Sequence, residues 1–244
     1  MRPSHRRRQC RPDGDGDAST LAWTVNGSLA GTEATLAGAF VGGDEVTCSV
    51  TPSDGSSDGE PVSASLTITN TEPTLDGVTL SPDPATETDT LTCTAGGTDD
   101  IDGDALTYTY DWQVNGSSVS SDPSLTGDDF SKGDHITVTV TPWDDEEAGE
   151  AVTSETAIAI NTSPTLGSVT LSTFEVYETT TVTCLPDGFS DVDGDSEDYT
   201  FSWFANDEEV STADTLTGAN FDHGDTLYCV ATPFDGEASG EAVS

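Results

Sequence analysis

Apolar residues alternate with polar ones in short runs along the chain. Tyr108, Tyr110, Trp112 and Val114 take every second position, the period of a half-buried strand. Asn115-Gly116 follows at once. This is a strong hairpin signal, because both central positions of a tight type I′ turn need positive φ. Ile136, Val138 and Val140 alternate on a further strand that ends at Pro142. Leu91, Cys93 and Ala95 mark another, Val78 and Leu80 an earlier one, and Val152, Ile158 and Ile160 a last one. No stretch shows helical spacing. About 90 residues carrying about six to eight short strands with turns between them predict a β-sandwich.

The pattern recurs. Trp23-Thr-Val-Asn26-Gly27 matches Trp112-Gln-Val-Asn115-Gly116, and Trp203-Phe-Ala-Asn206-Asp207 is a degraded third instance. Phe40, Gly43, Asp44, Cys48 and Pro52 are matched by Phe130, Gly133, Asp134, Val138 and Pro142, and by Phe221, Gly224, Asp225, Cys229 and Pro233. A linker, Asn70-Thr-Glu-Pro73-Thr-Leu75, returns as Asn161-Thr-Ser-Pro164-Thr-Leu166. Three coincident markers define a repeat. Residues 71–161 form a complete copy. Residues 1–70 form a partial copy that lacks its first strands and carries a basic N-terminal arm. Residues 162–244 form a copy expected to lack its last strand. One whole repeat between two broken ones is what a piece of a longer repeat protein would show.

The cysteines fit the same architecture. In the third copy Cys184 and Cys229 flank Trp203, and in the first Cys10 and Cys48 flank Trp23. Cysteines on strands B and F with a tryptophan on strand C form the immunoglobulin core pattern, the ring packing on an inter-sheet disulfide. The expected pairs are therefore Cys184–Cys229 and Cys10–Cys48. Each is worth ~4 kcal/mol by loop-closure entropy. In the second copy Val138 takes the partner position, which leaves Cys93 buried and unpaired. Metal ligation by cysteine is disfavoured, since there is no CxxC and no neighbouring His. Disulfides imply an oxidising compartment and hence export.

These copies resemble the Ig-like and PKD-like (polycystic-kidney-disease-type) repeats of large secreted or surface bacterial proteins. The resemblance rests on Asp100-Ile-Asp102-Gly103-Asp104 ahead of Tyr108-Thr-Tyr-Asp-Trp112, on Gly-Asp-x-x-x-Cys-x-Val-Thr-Pro, and on the Asn-x-x-Pro linker. It covers nearly the whole chain beyond residue 12. It implies extracellular stalk, spacer or adhesion modules, in some cases attached to enzymes.

Charge narrows the partners. The formal net charge is −40. Beyond Arg11 the chain has one base, Lys132, against all 46 acids. Such a body repels nucleic-acid phosphate and anionic lipid and attracts cations. No apolar run is long enough to span a bilayer. The 39 threonines favour strands over the disorder that acidity alone would suggest. Met1–Arg11 begins like a signal peptide but has no apolar segment after it, so no export signal is read here.

One feature carries candidate chemistry. Each copy clusters aspartates between strands B and C: Asp13, Asp15 and Asp17; Asp99, Asp100, Asp102 and Asp104; Asp191, Asp193 and Asp195. Alternating Asp with Gly presents several carboxylates to one hard cation, calcium above all. The EF-hand pattern is incomplete, with neither the terminal Glu nor flanking helices. In an Ig sandwich the F–G loop lies at the same end and adds Asp54, Asp144 with Asp145, and Asp235. Two clusters are expected at the linkers. One joins Asp44, Asn70 and Glu72 to Asp100, Asp102, Asp104 and Asp144. The other joins Asp134 and Asn161 to Asp191, Asp193, Asp195 and Asp235. Calcium bound there would stiffen the array, as it does between cadherin-type domains. The competing reading is plain Asx turns on a surface whose acidity serves solubility.

Other candidates are weaker. His5, His135 and His223 are too few and scattered for a metal site or a catalytic triad, so no enzyme activity is expected. Most of the aromatics alternate into the core, with Trp143 and Phe234 in the F–G loops as exceptions. The expected role is an extracellular structural or adhesive spacer that touches neighbouring repeats of the same chain, with a surface protein or glycan as further partner. The alternative is a carbohydrate-binding accessory module of a secreted hydrolase.

Overall fold

The computed structural model describes residues 18–38 and 40–244. Two compact units emerge. One contains residues up to 75 together with 98–108 and 142–150; the other contains 76–97, 109–141 and 151–244. The expectation of an all-β chain of tandem sandwiches holds. The described elements are strands, and nearly all pair antiparallel within their own copy of the repeat.

The first copy contributes β1 (Thr20–Val25), β2 (Ser28–Gly31), β3 (Glu45–Thr51) and β4 (Val62–Thr67), in the sheet order β2-β1-β3-β4. Asn26 and Gly27 turn the hairpin at φ 47° and 78°. This sheet has no opposing sheet among the described residues, and its packing shows it. Val46 is its one buried hydrophobic residue, while Leu29, Val62 and Leu66 are exposed. Trp23, expected in the core, is only half-buried.

The second copy contributes two sheets. One sheet is β5 (Gly77–Ser81), β6 (Thr90–Gly96) and β9 (Ser124–Thr126), in the order β5-β6-β9. The other holds β7 (Thr107–Val114), β8 (Ser117–Ser120), β10 (His135–Trp143), β11 (Val152–Thr153) and β12 (Ala157–Ile158). Its order is β11-β10-β7-β8, with β12 also on β10. The alternation read from the sequence becomes burial. Ile136, Val138 and Val140 on β10 are fully buried, as are Trp112, Leu91 and Leu125. The Trp112 indole N–H donates to the Asp122 carbonyl at 2.9 Å, which satisfies the one polar atom the ring brings inside.

The third copy repeats this with β13 (Ser168–Leu171), β14 (Thr181–Asp187) and β17 (Thr215–Thr217) in one sheet. The other has β16 (Glu208–Ser211), β15 (Asp198–Ala205) and β18 (Leu227–Phe234). A single bridge, Ala231 with Val243, stands where β11 pairs in the second copy. Trp203 is fully buried among Val182, Leu216, Phe221 and Ala231. Cys184 on β14 and Cys229 on β18 form the expected inter-sheet disulfide, with Cα atoms 6.1 Å apart. The other expected pair needs Cys10, which lies outside the described residues, as do Asp13, Asp15 and Asp17. Cys93 has no disulfide and is half-buried rather than buried. Burial still pushes its thiol pKa up.

A turn device recurs in all three copies. The Asn115 amide donates to Asp134 Oδ1 at 2.6 Å, its oxygen accepts the His135 N–H, and Asp134 Oδ2 accepts the Ser131 N–H. Asn26 with Asp44 and Asn206 with Asp225 do the same. This corrects the placement of Asp44 and Asp134. Their carboxylates fasten their own Gly-Asp turns to the neighbouring hairpin, so they are not donated to the linker clusters.

Candidate metal centre

The two described aspartate loops each fold around one carboxylate, Asp100 and Asp191. Asp100 Oδ1 accepts the backbone N–H groups of Asp102, Gly103 and Asp104 at 2.8, 2.9 and 3.3 Å. Gly103 at φ 84° makes this closure possible, since that region is costly for any residue with a Cβ. Oδ2 of Asp100 is buried and meets no hydrogen-bond partner. The second loop does the same. Asp191 Oδ1 accepts the Asp195 N–H at 3.1 Å, and its Oδ2 is likewise buried and unpartnered.

The next carboxylate grips the linker. Asp102 Oδ2 accepts the Thr71 N–H at 2.7 Å, and Oδ1 accepts the Gly42 N–H at 2.6 Å. Asp193 Oδ2 accepts the Thr162 N–H at 2.6 Å. The F–G aspartates complete each set. Asp144, only 4% exposed, accepts the Glu146 and Glu147 N–H groups on Oδ1 and the Asn70 amide on Oδ2 at 2.8 Å. Asp235, also 4% exposed, accepts the Glu237 and Ala238 N–H groups and the Asn161 amide at 2.8 Å. The first cluster lies wholly in one compact unit and the second wholly in the other. Thus the structure gathers Asp100, Asp102 and Asp144 with Asn70, and Asp191, Asp193 and Asp235 with Asn161. Asp104 sits close enough to feel Asp100, Asp144, Asp102 and Asp145. Asp54 caps its own turn by accepting the Ser56 and Ser57 N–H groups. Glu72 is exposed.

Charge follows from these bonds. Backbone N–H donors hold the carboxyl pKa values of Asp102, Asp144 and Asp235 below the ordinary value, Gly42, Glu147 and Ala238 respectively being the strongest. Asp104 moves the other way. Desolvation raises it, and then the repulsion of Asp100, Asp144, Asp102 and Asp145. A carboxylate whose folded pKa is depressed stabilises the fold above its unfolded pKa and loses that contribution as pH falls through the folded value. Asp235→Asn places an amide against the Asn161 amide. Its melting midpoint is therefore expected to lie below that of the parent chain above pH 5. The difference should close as pH falls below about 3.8, the ordinary value for Asp. A difference that is constant down to pH 2 would show that the Asp235 charge is irrelevant.

Asp191, Asp193 and Asp195 each offer an oxygen within 4.8 Å of the others. Two ligands of one calcium at 2.3–2.6 Å lie no more than about 5 Å apart, so the three suit one ion. One participant escaped the sequence reading. Lys132, the lone base of the body, points its ammonium at Asp195 Oδ2 (2.7 Å), Glu237 Oε1 (2.6 Å) and Asn161 Oδ1 (2.8 Å). Its hydrogen bonds to Asp195 and then Glu237 raise its pKa well above the usual lysine value. Its solitary position in an acidic chain was the available signal.

The remaining candidates fall elsewhere. His135 and His223 are exposed in separate turns. Trp112 and Trp203 are fully buried, so neither presents a sugar platform, whereas Trp143, Phe174 and Tyr177 are exposed. No helix among the described residues is long and apolar enough to cross a membrane.

No protein-family model matches the chain, and no curated protein sequence matches it. Among solved structures it is similar to the FN1–FN3 domains of chicken CNTN1, at 13% identity and a TM-score of 0.32, covering 92% of this chain and 85% of that one. It is also similar to extracellular domains 3–5 of Drosophila OTK, at 11% identity and a TM-score of 0.27, covering 96% and 87%. A central fibronectin-III array of RIM-binding protein follows at 12% identity and a TM-score of 0.22, covering 93% and 85%. Similarities this distant carry no functional argument, and the fold rests on the strand pairing described above.

Proposed function

We propose that the chain is a structural spacer of tandem Ig-like repeats from a secreted or surface protein, and that calcium bound at its aspartate loops fixes the linkers. The observation that carries this reading is the pair of buried, unpartnered carboxylate oxygens, Asp100 Oδ2 and Asp191 Oδ2. Each lies in a loop whose next aspartate already holds a linker N–H. A buried carboxylate oxygen without a partner carries a desolvation penalty, and a hard cation ligated by several carboxylates removes it. The disulfide between Cys184 and Cys229 fits an oxidising compartment. The partners expected of such a spacer are neighbouring repeats of the same chain, with a surface protein or glycan as a further partner.

The test is a thermal melt of the whole chain in EDTA, in calcium and in magnesium. Calcium is expected to raise the midpoint and magnesium to leave it nearly unchanged, since magnesium resists dehydration by such a loop. Asp102→Asn is expected to weaken calcium binding about tenfold, a loss of ~1.4 kcal/mol, read by calorimetric titration. Superimposable melts in EDTA and calcium would remove calcium from this function and leave a metal-free spacer.

A further inference from the structure

The two clusters share a plan but differ at one position. The second residue after the repeat's Phe is Gly42 in the first copy, Lys132 in the second and His223 in the third. At the first cluster no side chain fits there. A Cβ on Gly42 would lie 2.7 Å from Asp102 Oδ2 and 3.0 Å from the Asn70 Cα. The approach that excludes a side chain is the one that lets the Gly42 N–H reach Asp102. At the second cluster Lys132 turns its own N–H to Glu87 Oε1 instead, at 2.8 Å. Its stem then carries the ammonium to Asp195, Glu237 and Asn161. These three come from the aspartate loop, the F–G loop and the linker, the same three segments that a metal ion would join.

We infer that Lys132 is a tethered counter-cation of the second aspartate loop: it joins loop to linker without metal and competes with a divalent cation for Asp195. This deepens the calcium reading and rests on it in part. Among the described residues no ion pair reaches the first loop, so calcium there would meet no competing ammonium. The second is already partly neutralised and binds calcium more weakly. A divalent ion at Asp191, Asp193 and Asp195 would share Asp195 with an ammonium that now sits 2.7 Å away, and two like-charged groups at such range repel strongly.

The experiment is calorimetric calcium titration of the full chain and of Lys132→Gln, with Lys132→Arg as the charge-retaining control. Lys132→Gln is expected to bind one further calcium per chain, or to bind at its weaker site about tenfold more tightly. Lys132→Arg should follow the parent. A Lys132→Gln isotherm identical to the parent's would overturn the inference. If the parent binds no calcium while Lys132→Gln binds one, the calcium reading fails for the natural chain and the role of Lys132 stands. Should Lys132→Gln fail to fold, amine labelling of the parent decides. Lys132 is the one lysine in the sequence, and digestion separates its label from that of the N-terminal amine. Calcium is expected to speed its modification several-fold by releasing the ammonium. A rate that calcium leaves unchanged would overturn the proposal.

Discussion

Trp112→Ala is expected to unfold the second copy, or to bring it close to unfolding. The ring is fully buried, and truncating such a side chain costs about 3–5 kcal/mol through lost transfer energy and the cavity left behind. The Asp122 carbonyl also loses its donor. A domain of this size has only about 5–15 kcal/mol in total. Trp203→Ala makes the same cavity, but the Cys184–Cys229 disulfide still ties its two sheets. Trp23 is half-buried and keeps a comparable hydrogen bond, to the Glu33 carbonyl at 3.0 Å, so Trp23→Ala should cost the least. Hydrogen exchange read copy by copy checks this order. Equal losses for Trp23 and Trp112 would contradict the packing described for the first copy.

The second large effect is steric. A Cβ on Gly149 would run into the Pro73 carbonyl, and one on Gly240 into the Pro164 carbonyl. Both obstacles are linker backbone, which cannot rotate away as a flexible side chain can. Gly149→Ala and Gly240→Ala are therefore expected to lose about 1–3 kcal/mol each, as overpacked sites do. Because Gly149 shares its loop with Asp144, and Pro73 its linker with Asn70, the first cluster should loosen with it. Gly59 is the internal control. It makes the same loop bond, to the Pro52 carbonyl at 2.8 Å, but its Cβ would press the Pro52 ring at 2.9 Å and meet that carbonyl only at 3.6 Å. Gly59→Ala is expected to lose less stability than Gly149→Ala. A Gly149→Ala chain as stable as Gly59→Ala would show that the linker yields.

The strands, the hairpins and the repeat were legible because each is written locally. Alternation along β10 predicts which residues enter the core, and the positive φ of Asn115 and Gly116, 51° and 77°, is what an Asn-Gly pair is chosen for. The cluster membership was legible in part. The aspartate spacing and the loop order of a sandwich place Asp102 and Asp144 near Asn70. Register across the turn does not follow from spacing, so Asp44 and Asp134 were assigned to the linkers when Asn26 and Asn115 hold them in their own turns. Lys132 was illegible for a related reason. Its partners Asp195 and Glu237 are 63 and 105 residues away, so its solitary charge could mark it but not name what it meets. Trp23 was misplaced because burial needs an opposing sheet, and none is present among the described residues of the first copy.

The grip of Asp102 and Asp193 falls on main-chain N–H groups, at Thr71 and Thr162. Every residue except proline carries that donor. The threonine hydroxyls add to that backbone grip: Thr162 Oγ1 donates to Asp193 Oδ1 and accepts the Glu87 N–H, each at 3.3 Å, and the Thr71 hydroxyl also bonds Asp102. A substitution at either threonine therefore keeps the main-chain bond and loses the second hold.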